Sequence, residues 1–437
     1  MLPPDTHGKP RMPEDASLRQ PPTSARTVRW RDVLCVLPHR YGDLARLDEL
    51  AAADAPVVTV IGKYNHGKSR LLNELMRRDA FAVADRRQTI QLAECRHAGA
   101  RWLDAPGLDA DVAGEDDQHA LRAIWLASDI RLFIHAAREG ELDAAERALV
   151  ETLRADSHRT RRETLIVVTQ ADQMEDDDAL GRVVSAIADQ VPGAGLHVVS
   201  STRHRRGLED AKTLLIQRSG IPELERALAD ALARVPAARA HEACLLLSEI
   251  RAELESVRNA EAETLASLRQ QQIAQRRAFD DGLETLLAVI GGDMEAVVSR
   301  AGPDLALVAD TGRERYATTA AKLERARIQV AYSKACIRLD GFLAGHGVSG
   351  LPQEQQTAAG SLNTVMVAVM GVSVKFRADL RRMFCEEAGR ARLLAAFAHY
   401  FELSRSRAAL RDRINVSSAA LDATDCALAA LSPDAAP

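Results

Sequence analysis

Aromatic residues are scarce in this chain, 4% against 46% hydrophobic residues in all. With Ala, Leu, Arg and Glu abundant, that suits helices packed by aliphatic side chains better than β-sandwiches. The six cysteines, Cys35, Cys95, Cys244, Cys336, Cys385 and Cys426, lie scattered with no C-x-x-C pair. Neither a zinc site nor a disulfide framework is suggested, and a reducing cytoplasm is the simplest home. No charge sign dominates: 62 acidic residues stand against 57 basic ones, a net charge of −5. Nucleic acid or anionic lipid would therefore have to meet a local patch. No segment reaches the roughly 18 apolar residues of a membrane span. The first residues, MLPPDTHGKPRMPED, carry prolines and charges where a signal peptide needs an apolar stretch.

What is present divides along the chain. At 437 residues two or three hydrophobic cores are expected. Residues 1–27 hold six prolines among polar residues, a composition expected to form a disordered tail. Residues 28–55 read as an N-terminal helix, with Leu44, Leu47 and Leu50 on one side. Residues 56–235 alternate short apolar runs with helical stretches. The runs are VVTVI (57–61), IQLAEC (90–95), RWLD (101–104), IRLFIH (130–135), TLIVVT (164–169) and LHVVS (196–200). Such alternation predicts a mostly parallel, doubly wound α/β sheet. Only RHAGA separates the second run from the third, so that pair is expected as an antiparallel hairpin at the edge. The stretch IPELERALADALARV reads as a closing helix, and residues 236–437 read as an all-α helical domain. Leu247, Ile250, Leu254 and Val257 form a seam that weakens at Glu261 and Thr264, which favours a helical hairpin or bundle over a long coiled coil. Breaks are expected at Gly291-Gly292, at AGPD (301–304) and across GHGVSGLPQEQQ (345–356).

After the first run stands Gly62-Lys63-Tyr64-Asn65-His66-Gly67-Lys68-Ser69, then Arg70 and a helical stretch. This is a full match to G-x-x-x-x-G-K-[ST] between strand and helix. Gly62 and Gly67 let the chain curl around a β-phosphate, with backbone N–H groups of the loop from Asn65 and His66 to Arg70 aimed inward. Lys68 would bridge β- and γ-phosphate oxygens, and the Ser69 hydroxyl would ligate Mg²⁺. Thr89, twenty residues on, precedes the second strand, where its hydroxyl would reach Mg²⁺ and the γ-phosphate. Asp104-Ala105-Pro106-Gly107 follows the third. Its carboxylate would stand by the Mg²⁺ and the Gly107 N–H by the γ-phosphate, a pairing that makes a phosphate pocket a sensor.

Thr169-Gln170-Ala171-Asp172, at the end of the fifth run, resembles the guanine-reading [NT]-K-x-D motif of Ras-like GTPases. Gln170 departs from it, lacking the charge of the family's lysine. Asp172 would accept from guanine N1–H and the exocyclic amine, which adenine cannot offer. Ser200-Ser201-Thr202 occupies the place of the family's loop that meets guanine O6. These ordered motifs, with GKYNHGKSRLLNELM, resemble the Era, TrmE and dynamin-like branch of the P-loop GTPases. The resemblance covers the G domain alone. It implies a six-stranded Ras-like sheet with one antiparallel edge strand, binding of GTP and GDP with Mg²⁺, and hydrolysis. Leu108 stands where Ras has its water-orienting glutamine, which implies slow turnover. Asn65 resembles the asparagine with which related GTPases hold K⁺, so Lys68, Thr89, Gly107 and Asn65 are the candidate catalytic set.

The helical part leaves two expectations. One is a dynamin-like switch acting on a membrane's inner face or on a second copy through paired G domains. The other is an Era-like ribosome or RNA assembly factor. RNA binding is disfavoured, because Gly347-Val348-Ser349-Gly350 lacks basic neighbours and flanking strands. For peripheral membrane contact the candidate is VMVAVMGVSVKF (365–376), with a core segment as the alternative. The basic run Arg203, His204, Arg205 and Arg206 reads as a solvated loop.

Overall fold

In the computed structural model, the described residues are 30–81, 93–104, 126–309, 316–348, 350–358, 360 and 363–432. Two short helices, α1 (Arg31–Val36) and α2 (Tyr41–Ala52), come first. They replace the single N-terminal helix expected, because Pro38 opens a separate 3₁₀ turn between them. There follow β1 (Val57–Gly62), α3 (Lys68–Met76), β2 (Ala93–His97), β3 (Ala100–Asp104), β4 (Ile130–Ala136), α4 (Ala144–Thr160), β5 (Glu163–Thr169), α5 (Asp177–Gln190), β6 (Leu196–Val198), α6 (Ser201–Glu209) and α7 (Thr213–Gln217). The six strands form one sheet in the order β2-β3-β1-β4-β5-β6. Every pairing is parallel except β2 with β3. This is the Ras-like sheet with its antiparallel edge.

Alternation along the strands builds a core on each face. Val58, Val60, Leu132 and Ile134 pack with Leu71 and Leu72 of α3. Ile61, Phe133, Ile166 and Val168 point the other way, onto Val150 and Leu153 of α4 and Ile187 of α5. Below the sheet runs a buried ionic chain that no local sequence pattern announces. Arg239 meets Asp129 at 2.6 Å, Asp129 meets Arg46 at 3.1 Å, and Arg46 meets Glu242 at 2.8 Å. Glu242 meets Arg162 and Arg162 meets Asp156, both at 3.2 Å, and Asp156 meets Arg131 at 2.7 Å. Burial pushes Arg162 down to about 10. Arg131 is lowered by the same cause, which measures how dry the chain of charges is.

The remaining elements are α8 (Ile221–Val298), α9 (Ala320–Gly345), α10 (Val365–Met370), α11 (Arg377–Leu380), α12 (Glu387–Glu402) and α13 (Arg405–Ala430). The fold divides into two compact units, one made of residues up to Glu255 and from Cys426 onward, the other of Ser256–Asp425. α8 is far longer than the closing helix expected from its start. It runs 78 residues and passes through both Pro236 and the glycine pair. Gly291 is no break: a Cβ there would lie 2.8 Å from the carbonyl oxygen of Phe384. The residue is glycine so that two backbones can approach. The expected break at 301–304 falls outside the long helices, and that at 345–356 begins at Gly345, the last residue of α9.

The second unit is a helical bundle. Phe279, Leu283, Leu287, Ile290 and Met294 of α8 step by four and three residues along one stripe. They share a core with Ile328, Tyr332, Leu339 and Leu343 of α9 and with Leu393, Phe397 and Phe401 of α12. The apolar run at 365–376 belongs to this core, with Val365 1%, Met366 8% and Val374 8% exposed. The core alternative for that run thus holds at these positions, while Val372 is 69% exposed. Among the described residues no helix is long and apolar enough to cross a membrane.

Candidate functional site

The carboxyl ends of the parallel strands gather the motifs into one crevice, as open α/β sheets do. β1 ends in Gly62, where a Cβ would stand 2.3 Å from the carbonyl oxygen of Ile134. Only glycine lets β1 and β4 stay paired while the chain turns away. Asn65 and Gly67 take positive φ, 59° and 84°, and the loop curls into α3. Lys68 Nζ folds back over the turn and donates to the carbonyls of Gly62 and Lys63, 2.8 Å each. An ammonium held at the mouth of a ring of N–H groups is a phosphate-binding arrangement. Arg70 lies exposed on α3.

Beside the loop, Ser69 Oγ donates to Asp104 Oδ2 at 2.7 Å. Asp104 Oδ1 is shielded from solvent with no partner among the described residues. Burial is the main cause that raises the Asp104 carboxyl above its ordinary range, against the Ser69 hydrogen bond and the Lys68 charge. An orphaned carboxylate oxygen next to a hydroxyl is the hard oxygen pair that Mg²⁺ takes. Thr89, Gly107 and Leu108 lie outside the described residues.

The base-reading segment is tied to the phosphate loop from the side. Thr169 Oγ1 donates to the carbonyl of His66 at 2.6 Å. Gln170, itself at φ 58°, donates from Nε2 to the carbonyl of Asn65 at 2.7 Å. Asp172 is exposed, and its Oδ1 accepts from Ser200 Oγ at 2.6 Å. Ser200 Oγ also accepts from the Arg203 N–H at 3.0 Å, capping α6. Ser201 follows, half-buried, as the first residue of that helix. Gln170, Asp172 and Ser200 thus converge on one edge of the crevice.

The basic run is a correction. It is no solvated loop: Arg203 to Arg206 lie in α6, with His204 3% exposed. His204 Nδ1 sits 2.9 Å from Glu74 Oε2, and Arg205 donates to Glu74 Oε1 at 2.7 Å. The buried Glu74 carboxylate of α3 needs both partners, which is why a charge run sits here.

Sequence reading missed a further group. His135 is the penultimate residue of β4 and Glu146 lies in the first turn of α4, and both are buried beside His66 of the loop. Glu146 forms a capping box with Asp143, and Asp143 pairs with Lys63. Burial is the leading cause that holds His66 below its ordinary value, opposed by the Glu146 charge. The one local signal was a histidine at the end of a largely apolar run, IRLFIH.

Sheet order, phosphate loop and base-reading segment define a P-loop GTPase domain with a Ras-like sheet. Residues 57–170 match the family described as 50S ribosome-binding GTPase. An uncharacterized protein of Acinetobacter baylyi is 50% identical over 383 residues, spanning 87% of this chain and 91% of its own length; the chain belongs to the same family as that protein. GTPase Der of Stenotrophomonas maltophilia is 32% identical over 179 residues, which cover 38% of this chain and 35% of Der. The match therefore spans about a third of that relative. Among solved structures, an oligomerised bacterial dynamin is 14% identical with a TM-score of 0.35, over 92% of this chain and 76% of its own. Era in complex with MgGDPNP and 16S ribosomal RNA is 19% identical with a TM-score of 0.30, over 37% of this chain and 55% of its own.

Proposed function

We propose that the crevice binds GTP and GDP with Mg²⁺ and that hydrolysis serves a switch whose output is the helical part of the chain, in the manner of a dynamin-like GTPase. The observation that carries the reading is the double tether of Thr169 and Gln170 to the carbonyls of His66 and Asn65. It holds Asp172 at a fixed offset from the phosphate loop, so base identity and phosphate binding are read together. Ser69 and Asp104, with Thr89, are the residues that would hold Mg²⁺. The ion neutralises charge on the transferring phosphoryl group. Lys68 and the loop N–H groups orient the phosphates, and Gly107 would sense the third one.

Asn65 is exposed, and its side chain makes no hydrogen bond among the described residues. Its amide oxygen is therefore available to hold K⁺ beside the phosphates. An Era-like role on the ribosome is the second reading, supported by the description of the matching family.

Displacement of a fluorescent GDP tests the first part. GTP should displace it and ATP should compete poorly. Lys68→Ala should abolish binding, and Ser69→Ala should remove chiefly the Mg²⁺-dependent part. Equal displacement by ATP and GTP would remove the guanine reading. Co-sedimentation with liposomes and, separately, ribosomes, each with GDP or a non-hydrolysable GTP analogue, decides between the two roles.

A further inference from the structure

We propose that His66, His135 and Glu146 form a binding site for one divalent transition metal of the zinc class, set directly behind the phosphate loop and distinct from the Mg²⁺ position. One nitrogen from each ring and one carboxylate oxygen lie within 4.8 Å of one another. His135 Nδ1 is 2.9 Å and His66 Nδ1 is 3.7 Å from the same Glu146 Oε1. Tetrahedral zinc, with bonds of about 2.0–2.1 Å to nitrogen and about 2.0–2.2 Å to oxygen, sets its ligands roughly 3.4 Å apart. The observed separations bracket that spacing. The two rings stand nearly perpendicular, 88° apart at 5.2 Å, so they approach a common point from different directions.

Hydrogen bonding sharpens the argument. His135 Nε2 lies 3.0 Å from the Gly140 carbonyl oxygen, which can only accept, so this nitrogen carries the proton. In the neutral ring Nδ1 then points a lone pair at a carboxylate oxygen 2.9 Å away. Two acceptors that close need a cation between them, a second proton or a metal ion. A proton would serve His135 and Glu146 alone, whereas a metal would also use His66, whose Nδ1 lies 3.7 Å from the same oxygen and would give up its proton and its 3.4 Å contact with the Ile134 carbonyl to bind the ion. The Gly140 contact is the backbone anchor that metal-ligating histidines ordinarily have. Glu146 Oε2 is likewise fixed, accepting from the Asp143 N–H at 3.1 Å.

Burial fits a structural rather than an adventitious ion. His66 is 3%, His135 1% and Glu146 5% exposed. Two imidazoles and a carboxylate are a donor set for zinc or its first-row neighbours, not for Mg²⁺. A fourth position would take water. Since the His66 carbonyl receives Thr169 Oγ1, an ion on the His66 ring would fix the phosphate loop and the base-reading segment together.

The test uses the full chain, free of any affinity tag, stripped with chelator and then saturated with Mg²⁺ and GDP so that the oxygen site is filled. Titration with Co²⁺ should give one equivalent bound with the strong visible bands of a four-coordinate ion, displaced by Zn²⁺. His135→Gln and Glu146→Gln should each lose those bands or weaken binding at least tenfold, and the exposed His399→Gln should keep them. Circular dichroism reports whether each variant folds. X-ray absorption at the zinc edge of the parent protein should show imidazole ligands, so the question is decided even if both variants unfold. No uptake by the parent beyond the Mg²⁺ site, sulfur ligation at the edge, or bands that persist in folded His135→Gln would each overturn the site and leave a hydrogen-bonded cluster.

Discussion

Gln170 shows how one residue can leave a family pattern and keep part of its work. A lysine in the base-reading motif offers both an aliphatic stem and a donor. Gln170 retains a short stem, and its Nε2 still donates to the carbonyl of Asn65. Its Oε1, however, is buried without a partner among the described residues, and an orphaned acceptor costs about 1–3 kcal/mol. Gln170→Ala should lose the tether and weaken GDP binding about five- to tenfold, since a net hydrogen bond is worth roughly 1 kcal/mol. Gln170→Lys should bind as tightly as the parent or more so, because it supplies a charged donor to the same carbonyl and removes the orphan. Titration of a fluorescent GDP checks both, and a Gln170→Ala protein that binds like the parent would mean that the tether contributes nothing.

At the scale of elements, the ionic chain and the long helix make opposite demands on intuition. The chain alternates four arginines with three carboxylates, Arg239, Asp129, Arg46, Glu242, Arg162, Asp156 and Arg131. It is already one cation in excess. Arg46→Ala leaves three of each sign, whereas Glu242→Ala leaves four cations against two anions in a dry environment. Breaking a buried pair costs about 3–5 kcal/mol. Glu242→Ala should fall in that range and Arg46→Ala below it, as read from urea unfolding; the reverse order would mean that packing, not charge balance, sets the cost. In α8, helix propensity alone favours alanine over glycine by about 0.8–1.0 kcal/mol. Gly292 has nothing within 4 Å of a built Cβ, so Gly292→Ala should stabilise by about that amount. Gly291→Ala should instead destabilise by about 1–3 kcal/mol, because its Cβ would press on the Phe384 backbone. Thermal unfolding of the two variants separates the effects. The same contrast explains what the sequence made legible. Strands, the hairpin and the phosphate loop are local in pattern and were readable from alternation and motif, but β2 runs on to His97 and leaves only Ala98-Gly99 as the turn, where RHAGA was expected. The length of α8 was not, because Gly291 serves a contact about 90 residues away. His135, Glu146 and the ionic chain were equally hidden, since each depends on partners brought together only by the sheet.

For the whole molecule the open step is hydrolysis, and it begins from the side chains that meet the attacking water. Leu108 follows the D-x-P-G motif and can neither donate to that water nor accept from it. Among the described residues of the crevice, Lys68 donates to the carbonyls of Gly62 and Lys63, and Asn65 is exposed on the loop. Neither is a base. We propose that charge developing between the β- and γ-phosphates is met by a cation, either K⁺ held by Asn65 or a group from a second G domain. The two sources predict different signatures. With K⁺ alone, turnover per molecule rises in K⁺ over Na⁺ and stays flat with protein concentration. With a facing G domain it rises with concentration as well, because the complete site then exists only in the pair. We expect slow turnover with both dependences, and Asn65→Ala should abolish the preference for K⁺ while leaving GDP binding within a few-fold. Phosphate release measured across protein concentrations in each salt decides it: fast turnover, equal in both salts and independent of concentration, would place a catalytic group within this chain itself.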